Sequence, residues 1–301
     1  TRTCGLGAEA TGAGDALGID VEVAGLVRVV RGGEINSRTV GAGRAGDIHV
    51  DAAVIEFIAG DGTAESEAGN AGAGSMSLEA TKVIRVFDGA RLVVRSAEGQ
   101  DAGTLRLFAP RIEIRDSALT ADASAFGGNV EITTDSLLLE KSSIVAFSRG
   151  ETAGGPDALA ITPGGVETPA GGNITIEGGA VILNESVLNA NGFGNANGGF
   201  IDITADPWLR SGDSAITASS EFGLDGFVLV NTPYGEVTGD LAALPETFLD
   251  ASSLLEEPCL ARDAPSGSFA VQRAARVSPP PDAPLSAAPA EPQQCEAPPA
   301  P

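Results

Sequence analysis

A short block that opens on Gly and then alternates apolar with polar residues recurs seven times. It reads GDIHV at Gly46, GSMSL at Gly74, GTLRL at Gly103, GNVEI at Gly128, GNITI at Gly172, GFIDI at Gly199 and GFVLV at Gly226. Successive blocks are separated by 28, 29, 25, 44, 27 and 27 residues. A near-constant period of this size marks a solenoid, because one unit cannot bury its apolar face alone and does so only by stacking on its neighbours. The 301 residues therefore describe one stacked array with short ends.

Aligned on Gly, the blocks place Ile48, Met76, Leu105, Val130, Ile174, Ile201 and Val228 in one apolar column, and Val50, Leu78, Leu107, Ile132, Ile176, Ile203 and Val230 in another. Between them stand His49, Ser77, Arg106, Glu131, Thr175, Asp202 and Leu229, so six of seven middle positions are polar and the period is that of a half-buried strand. About nine residues after each Gly comes a second apolar pair: Ile55/Phe57, Ile84/Val86, Ile112/Ile114, Leu137/Leu139 and Val181/Leu183. A third strand is written Ser-x-aliphatic-x-Ala, starting at Ser117, Ser142, Ser186 and Ser214. Three short strands in about 27 residues, with no helical stretch between them, predict an all-β parallel β-helix. A leucine-rich horseshoe needs an LxxLxLxxN frame that is missing. A β-sandwich is the structural alternative, but its strands would not repeat the same inward columns every third element.

Forty Gly, 4% aromatic residues and one Trp fit this turn-rich architecture. The formal charge of −23 repels phosphate backbones and anionic membrane surfaces, which argues against nucleic acid as a partner. The acidity serves solubility of a long exposed surface or, on a sharper reading, scattered weak calcium binding, although neither a compact acidic loop nor a GGxGxDxUx repeat is present. Cys4, Cys259 and Cys295 match no zinc-ligand spacing. Cys259 and Cys295 flank a Pro-rich segment and can pair if the chain is exported, free thiols being the alternative. There is neither an apolar run of eighteen residues nor a charged and then apolar leader, so the sequence is expected to be a fragment whose targeting signal, if any, lies upstream.

Departures from the period divide the chain. Residues 1–45 are expected to form irregular or weakly repeated first coils, and residues 46–233 the β-helix coils proper. The 44-residue gap places an insertion at 150–171, and insertions in solenoids tend to carry binding residues. Gly150, Glu151, Asp157 and Glu167 are the candidate binding residues there. A shorter loop is expected between Ala59 and Gly74, with Asp61, Glu65 and Glu67. Residues 234–260 read as a capping segment, because an uncovered last coil exposes strand edges and apolar side chains. Residues 261–301, rich in Pro and Ala, read as a disordered tail.

Chemistry-bearing motifs are scarce. His49, the single histidine, takes an outward strand position, and no GxSxG or GxxxxGK[ST] motif is present. No catalytic, cofactor or metal residues are assigned. A polysaccharide lyase or glycosidase would need carboxylates and basic residues converging on one outer face. Glu113, Glu131 and Asp202, with Arg106, Arg111 and Arg115, are instead scattered over outward positions, and Glu113 and Arg115, flanking inward Ile114, are expected to pair.

The blocks GGNITI and GGFIDIT, the passage SAITASSEFGLDGFVLVNTP (214–233) and the terminator LPETFLDASSLLEEPC (244–259) together resemble the C-terminal region of filamentous haemagglutinin-like exoproteins of the two-partner secretion type, especially the cyanobacterial kind. The resemblance spans residues 46–285, and the terminator is its most specific piece. After Cys259 the chain departs from it, running RAARVSPPPDAPL where the family has a Gly-Gly-Leu-Pro-Pro run. The resemblance implies a right-handed β-helix exported through an outer-membrane β-barrel transporter that recognises an N-terminal domain not seen in this sequence. It further implies a secreted or cell-surface location and a role as adhesin or structural rod, with glycans or cell-surface proteins as partners. A polysaccharide-active β-helical enzyme and a passive surface spacer are the alternatives.

Overall fold

The computed structural model describes residues 5–67, 72–97, 102–124, 126–149 and 171–233 with side chains, and the backbone alone at 160–162, 165–167 and 237–238. These residues belong to the first of two compact units, Thr1–Ala242, the second being Ala243–Pro301. Every regular element among them is a β-strand. One sheet of eight strands runs Gly5–Ala10, Glu34–Thr39, Asp61–Ser66, Arg91–Ser96, Ala118–Ala123, Ser143–Ser148, Val187–Asn189 and Ala215–Thr217 in spatial order. The path of the eleven-stranded sheet runs Ile19–Val30, Ile48–Ile58, Met76–Phe87, Thr104–Phe108, Asn129–Glu140, Ile174–Asn184, Phe200–Thr204 and Phe227–Asn231. Within both sheets each strand pairs in parallel with its counterpart one coil later, as in Ile48↔Met76 and Leu119↔Ile144. This is the parallel β-helix that the period predicts.

The first two strands expected in each coil share one sheet, and in several coils they run on as one strand of eleven or twelve residues. Proline decides where they separate, since it has no N–H to give to the ladder. Pro110 falls between Thr104–Phe108 and Arg111–Arg115, and Pro207 between Phe200–Thr204 and Trp208–Arg210.

Inward side chains stack into columns along the coil axis. Ile48, Met76, Leu105, Val130, Ile174 and Ile201 are at most 2% exposed. The second column, Ile55, Ile84, Ile112, Leu137 and Val181, is closed off by Trp208 at 1% exposure. Each such side chain contributes about 1.5–3 kcal/mol by leaving water, and the columns merge into one core cluster. The leading glycines are explained by backbone proximity: a Cβ on Gly74, Gly103, Gly172, Gly199 or Gly226 would run into the carbonyl oxygen of the equivalent Gly one coil before. The column begins at Leu17, against whose carbonyl Gly46 packs, and Ile19 pairs with Ile48. A coil in register with the others thus precedes Gly46, hidden in the sequence because its leading residue is not Gly.

The loop expected between Ala59 and Gly74 is corrected. Asp61–Ser66 is a full strand of the eight-stranded sheet, paired on both sides. Its inward aliphatic position is Gly62, and the space is filled by Leu92 and Met76 from adjacent coils, whose side-chain atoms lie 3.0 and 3.2 Å from where a Cβ would be. The strand signature was missing because neighbouring coils supply the bulk. Of the remaining sequence readings, the capping segment and the tail lie outside the described residues, apart from Val237–Thr238, as do Cys4, Cys259 and Cys295.

Candidate functional site

The turn into each third strand is built by the Ser of the Ser-x-aliphatic-x-Ala pattern. Ser142 Oγ donates to the carbonyl of Glu140 at 2.7 Å and accepts the N–H of Ser117 at 3.2 Å. Ser186 Oγ repeats this, donating to Asn184 at 2.7 Å and accepting from Ser142 N–H at 3.2 Å, and Ser214 Oγ accepts from Ser186 N–H at 3.1 Å. These buried hydroxyls satisfy backbone groups that the chain reversal would otherwise orphan. Just before them Asp116, Lys141 and Glu185 stand in the left-handed region at φ 47°, 48° and 47°, which side chains other than Gly enter only where the surroundings hold them. The ladder fixes the lip of the eight-stranded sheet.

The outer face of that sheet carries three columns; the middle one is uncharged throughout, and the two edge columns change character along the axis. In the earlier coils its edges are charged. Glu34, Asp61 and Arg91 align on one edge, and Glu9, Arg38, Glu65, Arg95 and Asp122 on the other. Arg91 pairs with Asp61 at 2.9 Å, and Arg95 with Asp122 at 2.9 Å and Glu65 at 3.6 Å. The side chain of Asp122 is fully buried and receives a second guanidinium, Arg149, at 2.9 Å. From Ala118 onward the first edge continues as Ser143, Val187 and Ala215, and the middle column as Thr120, Val145, Asn189 and Thr217. Neither column then holds an ionisable side chain. The hydroxyls of Thr120, Ser143 and Thr217 have no partner among the described residues.

This neutral strip has two different borders. On one side lies an open groove of about 480 Å³ that includes Asp116, Lys141 and Glu185. On the other, Phe147 and Phe193 meet edge to face, their centroids 5.4 Å apart, and the Arg149 guanidinium sits 5.7 Å from the centre of the Phe147 ring. Phe193 is 43% exposed, and its N–H is anchored on the carbonyl of Ser148 at 2.9 Å.

The eleven-stranded sheet shows the same transition. Arg28, Glu56, Arg85, Glu113, Leu138, Ile182 and Leu209 form one outward column. Glu56, only 6% exposed, accepts from Arg28 at 2.6 Å and Arg85 at 2.9 Å. Burial acts to raise its carboxyl pKa, but the hydrogen bonds and positive charges of the two arginines together outweigh burial and hold it below its ordinary value. The expected Glu113 and Arg115 pair is corrected. Glu113 lies 3.5 Å from Arg85 and 3.8 Å from Arg111, while Arg115 pairs with Glu140 at 3.6 Å and covers the Phe87 ring. Neighbours across coils are closer than residues two apart on one strand, so Glu113 meets Arg85 at 3.5 Å, and along its own strand it is Arg111, at the longer 3.8 Å, that reaches it.

The other sequence candidates are spread out. His49 faces outward between Asp20 and Ser77, half-buried. Arg106 and Glu131 pair with each other at 2.7 Å, and Asp202 accepts from Asn231 at 3.2 Å. Gly150, Glu151 and Asp157 lie outside the described residues. Glu167 ends Gly165–Glu167, which pairs antiparallel with Ala160–Thr162. Among the described residues no group of three or more His, Cys, Asp or Glu is placed to hold a metal ion. Sequence reading missed the neutral strip, although its signal was available in the outward positions of the Ser-x-aliphatic-x-Ala strands. Comparison with protein-family models, curated proteins and solved structures gives no match.

Proposed function

We propose that this chain is part of a non-enzymatic β-helical exoprotein, secreted or held at the cell surface, that acts as an adhesin or structural rod. The observation that carries this reading is the periodic outer face of the eight-stranded sheet, which offers equivalent positions coil after coil. Many weak contacts of one kind add up to avidity without any single deep pocket. Export by two-partner secretion, with an outer-membrane β-barrel transporter as partner, rests on the sequence resemblance of the 214–233 and 244–259 passages. The acidic charge supports a partner that is not nucleic acid. Incubating the purified chain with a panel of neutral and acidic polysaccharides, and scoring both retention and new chain ends, tests the reading. Retention without cleavage is expected. Cleavage abolished by a single Asp, Glu or Arg substitution overturns it in favour of an enzyme, and loss of all retention, to cells as well as to polymers, leaves a passive spacer.

A further inference from the structure

We infer that the neutral strip on the eight-stranded sheet binds an uncharged, extended polysaccharide lying along the coil axis, with Phe193 as its stacking anchor. The inference rests on the adhesive reading and names its ligand and its site. In a chain of net charge −23, a strip several coils long without an ionisable side chain in two adjacent columns is a local exception, and it matches a ligand without charge. A polyanion would meet the repulsion of the whole body there. The column of Thr120, Val145, Asn189 and Thr217 mixes hydroxyl and amide groups with methyl-bearing surface. A sugar ring presents the same mixture, with hydroxyls around its rim and C–H groups on its faces.

The spacing adds direction. Strands stack about 4.8 Å apart, close to the length of one pyranose residue in an extended glycan. A chain lying along the axis therefore meets one coil per sugar, whereas a chain lying parallel to the strands meets the charged turn residues Lys141 and Glu185 within a short span. The Phe147 and Phe193 pair supplies apolar ring surface at the strip's edge, where sugar C–H groups can pack. It is held in advance: Arg149 lies against Phe147 while its guanidinium is fixed by the buried Asp122, and Phe193 is tied through its backbone to Ser148. Preorganisation of this kind limits the ordering cost of binding.

Affinity electrophoresis of the purified chain through gels containing a soluble neutral β-glucan or, separately, alginate tests this. Three variants are compared: Phe193→Ala, Val145→Lys and, as a control in the same column of the charged coils, Thr63→Lys. All three positions face outward, and equal melting temperatures verify that each variant is folded. Retardation by the neutral glucan is expected to fall at least tenfold for Phe193→Ala and Val145→Lys and to be unchanged for Thr63→Lys. Equal retardation of all variants, retardation by alginate alone, or a self-association in sedimentation that Val145→Lys abolishes each overturns the inference. Wild-type chain that adheres to cells yet ignores the neutral glucan overturns it too, while leaving the adhesive reading in place. Chain that adheres to neither sinks both.

Discussion

The coils from Leu17 to Gly103 and those from Gly128 to Gly226 share one backbone plan and one kind of core but dress it differently. In the earlier coils outward columns carry ion-pair ladders, Arg28–Glu56–Arg85–Glu113 on one sheet and Glu65–Arg95–Asp122 on the other. In the later coils the first of these columns continues as Leu138, Ile182 and Leu209 and the second as Phe147, while the Glu34–Asp61–Arg91 edge continues as Ala118, Ser143, Val187 and Ala215. The difference teaches that stacking and surface chemistry are separable in this fold. Inward side chains and glycines set the register, so outward columns are free to be charged or neutral without altering the path of the chain.

Four perturbations would break or sharpen this contrast. The largest effect is expected for Asp122→Ala, which removes the buried carboxylate shared by Arg95 and Arg149. A loss of about 2–3 kcal/mol in denaturant unfolding is expected, discounted because both guanidiniums keep partial contact with water. Glu56→Gln should cost about 1–2 kcal/mol at neutral pH, since two charge-assisted hydrogen bonds become neutral ones. The pH response identifies its origin. Because Glu56 is held below its ordinary value of 4.5, its contribution is present above that pH and is lost as pH falls through the depressed value. Melting curves recorded downward from pH 5 should therefore converge for wild type and variant, and parallel curves would show that Glu56 is not the titrating group.

Smaller effects probe the neutral coils. The double variant Leu138→Arg with Ile182→Glu would extend the alternation beyond Glu113, and its stability should stay within about 1 kcal/mol of wild type, improving as salt is lowered. A drop well beyond that in low salt would mean that the half-buried aliphatic column contributes packing the charged coils do without. The smallest change is expected for Thr120→Val, an outward substitution that should move stability by no more than about 0.5 kcal/mol. A larger loss in thermal melts would show that the Thr120 hydroxyl holds the fold together.

Legibility in the sequence differed by element. The first two strands of each coil were readable because their apolar columns are unbroken from Ile48 to Ile203. The Asp61–Ser66 strand was not, because Gly62 leaves its inward place to Met76 and Leu92. Residues 1–45 were expected as irregular or weakly repeated first coils, and the coil led by Leu17 carried no glycine landmark for a related reason: at the start of the glycine column no equivalent carbonyl presses on that residue among the described coils, so Gly is not required there. The insertion expected at 150–171 lies largely outside the described residues, while the cluster of Phe147, Arg149 and Phe193 draws on two segments, the end of Ser143–Ser148 and the stretch after Val187–Asn189.

By itself the sequence determined the repeating unit: the period, the inward columns, the glycine where backbones approach, the serine at the turn and the proline at each interruption. These are mostly local requirements that a coil meets in its own residues, with Gly62, whose inward place Met76 and Leu92 fill, as an exception. Tertiary structure decided which outward side chains meet. Partners such as Arg28 and Glu56, or Asp122 and Arg149, lie a full coil apart, and coil length varies from 25 to 44 residues, so the period alone does not bring them together. Strand hydrogen bonding fixes the register residue by residue, and that register turns scattered charges into ladders and uncharged positions into a continuous strip.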